Sequence, residues 1–471
     1  MAFPRLYSLC IFASLFLSLL RHSVSGSGSI GINYGRIADD LPSPAKVVQL
    51  LKSQGITKVK LYDTDSTVLD ALSGSGISTT VALPNEQLSA AAASQSFTDR
   101  WVQSNIVPYK SIIETVAVGN EVFVDPANTT PYLVPAMKNV YASLAKYGVA
   151  PSVKVSSPIG FSAMQTSYPP SSGSFKPELI PVIKPMLSFL EQTGSFLMLN
   201  AYPFYAYEAN TDKISLDYAV FGDNQGVVDP NNGLVYKSLF DAQVDAVYAA
   251  INAVKPGHFR VVISESGWPS KGNRNAAAYN GKKAAVNAAA YDGETGPASA
   301  VNAAAYNGNL VRRVLTGGGT PLRPDEPLSV YLFSLFNENQ KSGPISERNY
   351  GLFYPNEQKV YDVPLTLAAL GNRGSKAQVP PTWCVANGDV GPERLQVALD
   401  YACGQGAADC GPIQPGSTCY NPNTLVAHAS YAFNSYYQKN ARGPGTCYFG
   451  GAGYVVTQPP RFGSCEFPTG Y

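Results

Sequence analysis

Four acidic residues stand where short apolar runs end. Thr115-Val-Ala-Val-Gly-Asn-Glu121 closes on Asn120-Glu121, and Val261-Val-Ile-Ser-Glu265 closes on Glu265. Ser334-Leu-Phe-Asn-Glu338 closes on Glu338, and Leu61-Tyr62-Asp63 on Asp63. Two carboxyl groups held on opposite sides of a bond can cleave an acetal, one as acid/base and the other as nucleophile. For a retaining reaction they stand about 5 Å apart. In that chemistry Glu121 is the proton donor, its pKa raised by a neighbouring carboxylate and partial burial, and Glu265 is the nucleophile. Asn120, beside the acid, is placed to bond a sugar 2-hydroxyl. A lone glutamate after an apolar run is ordinarily a loop acid. Three of them at three strand ends within one pattern favour catalysis.

The elements that must position these acids alternate. Short β-branched or apolar runs at Ile30–Tyr34, Lys58–Tyr62, Thr79–Leu83, Thr115–Gly119, Val153–Ser157, Phe196–Ala201, Arg260–Ser264 and Ser329–Leu335 read as strands. Amphipathic stretches lie between most of them, among them Pro131–Tyr147, Leu179–Gln192 and Val235–Val254. Strand–helix alternation over this length argues for parallel β-structure with helical crossovers. Eight strands predict an α/β fold of the closed (β/α)₈ barrel type, which gathers catalytic groups at the C-terminal ends of its strands. The fourth and seventh strands are not neighbours, so Glu121 and Glu265 would face each other across the mouth. The competing doubly wound sheet usually shows a Gly-rich phosphate turn after its first strand; here that turn reads Asn33-Tyr34-Gly35-Arg36.

The composition narrows the partner. Only 14% of the 471 residues are charged, against roughly 25% in ordinary soluble proteins. The net charge is +1, which is no footprint of a nucleic-acid binder. The 29 tyrosines, each with an apolar face and a polar tip, suit a partner rich in hydroxyl groups. At the N-terminus Arg5 precedes an apolar run from Leu6 to Leu20 and then Val24-Ser25-Gly26. That is the pattern of a secretory signal, here taken as residues 1–26, and the run is short for a membrane anchor. No hydrophobic tail follows Phe467-Pro-Thr-Gly-Tyr471, so no GPI signal is expected. The expectation is a secreted, cell-wall protein, monomeric and without a stable membrane anchor, with a glycosylation sequon at Asn128.

Six of the seven cysteines lie between Cys384 and Cys465. An even number in one short segment of a secreted chain predicts a disulfide framework. Without C-x-x-C pairs or paired histidines, no metal site is expected. Asn372–Pro381 reads as a linker, which leaves a barrel over 27–371 and a small domain over 382–471. In the small domain, helical patterns cover Glu393–Ala402 and Thr424–Gln438. A motif Asn-Ala-Ala-Ala-Tyr recurs at 275–279, 287–291 and 302–306. The third copy reads as the start of the helix after the seventh strand. The earlier two read as a local duplication in a loop over the barrel mouth.

These residues carry a family resemblance. Val118-Gly119-Asn120-Glu121, Ser264-Glu-Ser-Gly-Trp-Pro-Ser270 and Leu335-Phe-Asn-Glu-Asn-Gln-Lys341 resemble the signatures of plant endo-1,3-β-glucanases, glycoside hydrolase family seventeen. Ile30-Gly-Ile-Asn-Tyr-Gly35, Lys60-Leu-Tyr-Asp63, Asn200-Ala-Tyr-Pro-Phe204 and Gly351-Leu-Phe-Tyr354 are similar in family order. The resemblance implies Glu121 as acid/base and Glu265 as nucleophile, with Glu338, Lys341 and Glu347 as supporting charges. It implies Tyr62 on the cleft floor and a 1,3-β-glucan polysaccharide as the substrate. Asn200, Tyr202, Phe204, Trp268 and Phe336 join Tyr62 and Asn120 as candidate sugar contacts, with Tyr205 and Tyr207 in the same cluster; core packing is the other reading for the aromatic rings. No cofactor is expected, because two carboxylates suffice.

The segment from Trp383, with Gln396-Val-Ala-Leu-Asp-Tyr-Ala-Cys403 and Tyr431-Ala-Phe-Asn-Ser-Tyr-Tyr-Gln438, resembles the family forty-three carbohydrate-binding module. That resemblance implies the pairs Cys384–Cys447, Cys403–Cys410 and Cys419–Cys465 and binding of β-1,3-glucan. Tyr431, Phe433 and Tyr437 are candidate stacking residues, although their spacing also suits a buried helix face. Two other functions fit the same residues: transfer of the glycosyl intermediate or cleavage of mixed-linkage glucan, and a non-catalytic wall-binding protein. The acids at 121, 265 and 338 speak against the last.

Overall fold

The computed structural model describes residues 28–272, 297–371 and 382–469, less 441, 443–445, 448, 450, 451, 457 and 458. The expected signal segment 1–26, the repeat copies at 275–279 and 287–291, and the linker 372–381 lie outside the described residues. The described residues form two compact units: those up to 269 with 303–367, and those of 270–302 with those from 368 onward.

The first unit is a parallel barrel. Its strands are β1 (Ser29–Asn33), β2 (Lys58–Lys60), β3 (Ser78–Leu83), β4 (Ile113–Val118), β5 (Lys154–Ser156), β6 (Pro158–Gly160), β7 (Leu197–Asn200), β8 (Val261–Ser266) and β9 (Ser329–Leu332). They are ordered β5-β4-β3-β2-β1-β9-β8-β7-β6, all paired parallel. β5 and β6 are two halves of one strand broken at Ser157, so the fifth predicted strand closes the ring by pairing with β4 on one side and β7 on the other. β3 and β4 are rich in Thr, Val and Ala and almost wholly buried, as strands enclosed by helices must be. Ala82, Ala117 and Met198, from β3, β4 and β7, pack together in one buried cluster.

Helices cover the outside. Leu133–Lys146, Ile180–Gln192 and Leu239–Val254 fill three predicted helical stretches, though Val235–Tyr236 is a short strand and the third helix starts later. Its start is set by Ser238, whose hydroxyl accepts from the Asp241 N–H at 3.0 Å; such a cap is worth roughly 1 kcal/mol. Asp65 caps the helix Ser66–Leu72 in the same way. Helix Ala300–Thr316 contains the third copy of the repeat near its start. Among the described residues, no helix is long and apolar enough to cross a membrane.

The second unit is small and stapled. Helices Pro392–Cys403 and Leu425–Lys439 pack with an antiparallel pair, β10 (Trp383–Ala386) and β11 (Gly453–Val456). Its six cysteines form Cys384–Cys447, Cys403–Cys410 and Cys419–Cys465. The bridges stand where a domain this small lacks the buried area to hold itself together.

Candidate active site

The C-terminal strand ends bring the carboxyls together. β8 carries an irregularity in its last turn: Ile263 pairs with Leu199 but Glu265 with Asn200, so Ser264 is an extra residue against β7. A bulge of this kind re-aims the following side chain, and here it presents Glu265 to the barrel interior. Glu265 is 5% exposed, and its carboxylate accepts from three donors. Lys60 Nζ lies 2.8 Å from Oε1, the Tyr62 hydroxyl donates to Oε1 at 2.8 Å, and the Tyr202 hydroxyl donates to Oε2 at 2.7 Å. Lys60 is itself 1% exposed and stands 4.0 Å over the Tyr62 ring.

Burial alone would raise the Glu265 carboxyl. The Lys60 charge and the hydrogen bonds from Lys60, Tyr202 and Tyr62 outweigh it and hold the group below the usual carboxylate range. The two tyrosine hydroxyls are pushed far up, first by burial and then by the Glu265 charge, so both remain donors.

Glu121 has the opposite setting. It sits in left-handed backbone at φ 49° directly after Gly119 at φ 66° and Asn120, a conformation that a non-glycine residue holds only under constraint from its surroundings. The constraint is visible. Asn85 clamps Asn120 by accepting from its N–H at 2.8 Å and donating to its carbonyl at 3.0 Å, and the Glu121 N–H donates to the Pro158 carbonyl at 3.0 Å. A β-carbon on Gly119 would lie 2.5 Å from Val122, so glycine is required there twice over. The Glu121 carboxyl is raised by burial and by the Glu265 charge, against a lowering hydrogen bond from Asn200.

Asn200 ties Glu121 to Ser264, the residue before Glu265. Its Nδ2 donates to Glu121 Oε1 at 2.9 Å, and its Oδ1 accepts from the Ser264 hydroxyl at 2.6 Å. Asn120 Oδ1 lies 3.4 Å from the same Nδ2.

The supporting charges form a second group. Glu338 is buried, and its Oε1 accepts from the Ile37 N–H at 2.9 Å. A β-carbon on Gly35 would fall 2.5 Å from both carboxylate oxygens, so only glycine leaves room for that acid. Burial raises the Glu338 carboxyl, with Ile37 and Lys341 opposing. Lys341 pairs with Glu347 at 3.0 Å and stands 4.3 Å over the Phe333 ring, and the Tyr205 hydroxyl donates to Glu347. Asp63, the fourth strand-end acid, is taken up by Arg36, which also holds Asp65.

Several expected sugar contacts fall elsewhere. Phe204, Trp268 and Phe336 are buried. Phe204 packs edge-on to Trp268 at 5.2 Å, Trp268 lies 5.4 Å from Tyr306, and Phe336 meets Tyr34 at 6.2 Å. These rings support the strand ends from behind and have no face free for a sugar. Tyr431 and Tyr437 are likewise buried, Tyr431 against Phe467 and Tyr437 sharing a hydrogen bond with Thr382; Phe433 is core. Tyr205 is the exposed ring of the cleft cluster, in edge contact with Tyr202 at 5.7 Å. Lys60 was missed as a functional residue. Its signal was its place: a lysine at the C-terminal end of a barrel strand, where catalytic groups gather.

Comparison with known proteins adds the following. Residues 30–296 and 290–365 match the family described as "Glycosyl hydrolases family 17", and residues 382–454 match the X8 domain. The two matched stretches overlap at 290–296, inside the duplicated Asn-Ala-Ala-Ala-Tyr segment. The chain is 41% identical over 467 residues to glucan endo-1,3-beta-glucosidase 13 of Arabidopsis thaliana, covering 98% of this chain and 88% of that protein. It is 37% identical over 458 residues to the glucan endo-1,3-beta-D-glucosidase of Olea europaea, covering 95% of each. Among solved structures it resembles a beta-1,3-glucanase and allergen of Cryptomeria japonica pollen. That match has a TM-score of 0.65 and 38% identity, covering 72% of this chain and 99% of that one.

Proposed function

The chain belongs to glycosyl hydrolase family 17, and from that premise we propose that it is a secreted endo-1,3-β-glucanase, which cleaves internal bonds of callose and related wall glucans with retention of configuration. The observation that carries this reading is the opposite setting of two carboxyls at the barrel mouth. Lys60, Tyr62 and Tyr202 hold the Glu265 carboxyl below the usual carboxylate range, while burial and the Glu265 charge raise that of Glu121.

These opposite shifts suit Glu121 as proton donor and Glu265 as nucleophile. Glu121 gives its proton to the glycosidic oxygen as the C1–O bond breaks, and a Glu265 oxygen forms the new bond to C1. Oε1 already accepts from two donors and Oε2 from one, so Oε2 has the lone pair to attack. Glu121, now a carboxylate, takes a proton from water. That water attacks C1 and releases Glu265, restoring both groups. As Glu265 loses its charge to the ester, Lys60 is left facing Glu121, and its charge favours the ionised Glu121 needed for the second step.

The domains we assign are the catalytic barrel at 27–371, a linker at 372–381 and the glucan-binding module at 382–471. Holding the enzyme on an insoluble polymer raises the effective concentration of cleavable bonds. Asn128 lies exposed in a turn at φ 50°, which supports its use as a glycosylation site in a secreted protein. Replacing Glu265→Gln keeps the shape and removes the nucleophile. Hydrolysis of linear 1,3-β-glucan should fall to near background while glucan binding survives. Substantial residual turnover would refute the assignment.

A further inference from the structure

The N-terminal end of the barrel, opposite the catalytic acids, holds a second group of charges that the proposed chemistry leaves unused. Side chains alternate along a strand, so Lys58 shares the inward face of β2 with Lys60, two residues nearer the N-terminal end. Lys58, Glu114, Lys154 and Arg260 line a cavity of about 200 Å³ there, with Ser329 and Tyr331 among its walls. A single water needs only about 10–15 Å³ of such space, so the cavity has room for a ligand of several atoms. The interior of such a barrel is ordinarily filled by bulky apolar side chains. A space ringed by charge departs from that rule.

The one carboxylate in the ring is already taken. Lys58 Nζ donates to Glu114 Oε1 at 3.0 Å and to Oε2 at 3.1 Å, and the Tyr331 hydroxyl donates to Oε1 at 3.1 Å. Burial and then the Glu114 charge push the Tyr331 hydroxyl far up, so it remains a donor. A β-carbon on Gly31 would lie 2.5 Å from the Tyr331 ring, so glycine makes room for it. The Arg260 guanidinium stands 4.8 Å over the Phe196 ring. Among the described residues, neither Lys154 nor Arg260 belongs to an ion pair. Three cations against one carboxylate leave the cavity with a formal charge of +2. Ser329 accepts from the Ser29 hydroxyl at 3.0 Å, which leaves its own hydrogen to give. The Lys58 and Glu114 side chains are 33% and 32% exposed, so dissolved ions reach this end of the barrel. A fitting ligand is compact, carries two negative charges and offers several acceptor oxygens. A tetrahedral oxyanion meets all three conditions.

We infer that the N-terminal end of the barrel binds a small doubly charged oxyanion of the sulfate or phosphate class, held by Lys58, Lys154 and Arg260 with the Ser329 hydroxyl as a further donor. The test titrates inorganic sulfate calorimetrically into the full chain against a constant chloride background. One sulfate should bind per chain, and inorganic phosphate should displace it. Lys154→Met and Arg260→Gln should each weaken binding on the order of tenfold or more, as loss of one charge-assisted contact does. Lys154→Arg, which keeps the charge, should retain most of it. Hydrolysis of soluble 1,3-β-gluco-oligosaccharides should be unchanged in all three variants, because the acids stand at the other end of the strands. Arg260 is exposed, so its substitution reads the site even where Lys154→Met fails to fold. A wild type that binds no sulfate, or folded variants that bind it equally well, overturns the site and leaves the enzyme assignment standing. Chloride competing as strongly as phosphate overturns the preference for a doubly charged ligand.

Discussion

Replacing Lys60→Met removes the charge that faces the nucleophile and keeps most of the side-chain volume. Lys60 Nζ and Glu265 Oε1 are 2.8 Å apart and both groups are buried. At that distance, with an effective dielectric of about 20, the attraction is about 6 kcal/mol. Desolvation of the ammonium offsets part of it, and the Tyr62 and Tyr202 hydrogen bonds remain in the variant. About 3 kcal/mol is left, the lower end of what breaking a buried pair costs, or on the order of 10²-fold in kcat/KM near neutral pH. The sign of the pH effect follows from the same pair. Glu265 must be ionised to attack, so activity is lost as pH falls through its pKa. With Lys60 gone, burial is less opposed, that pKa rises, and the acid limb of kcat/KM moves to higher pH. The assay is kcat/KM against pH on soluble 1,3-β-gluco-oligosaccharides, with circular dichroism to verify the fold. An acid limb that stays where it is, with kcat/KM unchanged, would refute the role given to Lys60.

Other perturbations separate the remaining parts. Asn200→Ala removes the hydrogen bond that opposes the rise of Glu121. The basic limb should move to higher pH while kcat falls about tenfold, the weight of one buried hydrogen bond and the alignment it provides; a basic limb moving lower would contradict the geometry. Mild reduction should unfold the C-terminal module, since the bridges spanning 63 and 46 residues each contribute about 4 kcal/mol in the chain-entropy account. The barrel has no cysteine between Ser27 and Trp383, so activity on soluble oligosaccharides should survive as retention on insoluble glucan is lost. Loss of both together would show that the barrel depends on the module.

The barrel was legible because its strands are buried on both faces and read as continuous apolar runs between amphipathic stretches. The catalytic acids were legible because each closes such a run. What the pattern hid were departures from regularity. Ser157 breaks the fifth strand into two pairing halves, and the extra residue at Ser264 changes which way Glu265 points; neither alters the local composition. The aromatic side chains were the weakest reading. A ring near a strand end is equally suited to carry a sugar or to pack behind the acids, and only burial separates Tyr205 from Phe204 and Trp268. In the small domain the same ambiguity leaves two readings for one helix. Tyr431 and Tyr437 have the spacing of a stripe, and the stripe faces the core.

The central claim is that Glu265 attacks C1 and Glu121 serves it twice. Proton NMR of the first product released from linear 1,3-β-glucan tests it most directly. The account predicts short oligosaccharides whose new reducing ends appear first as the β-anomer and only later mutarotate. First appearance of the α-anomer would mean direct attack by water, and would contradict Glu265 as nucleophile.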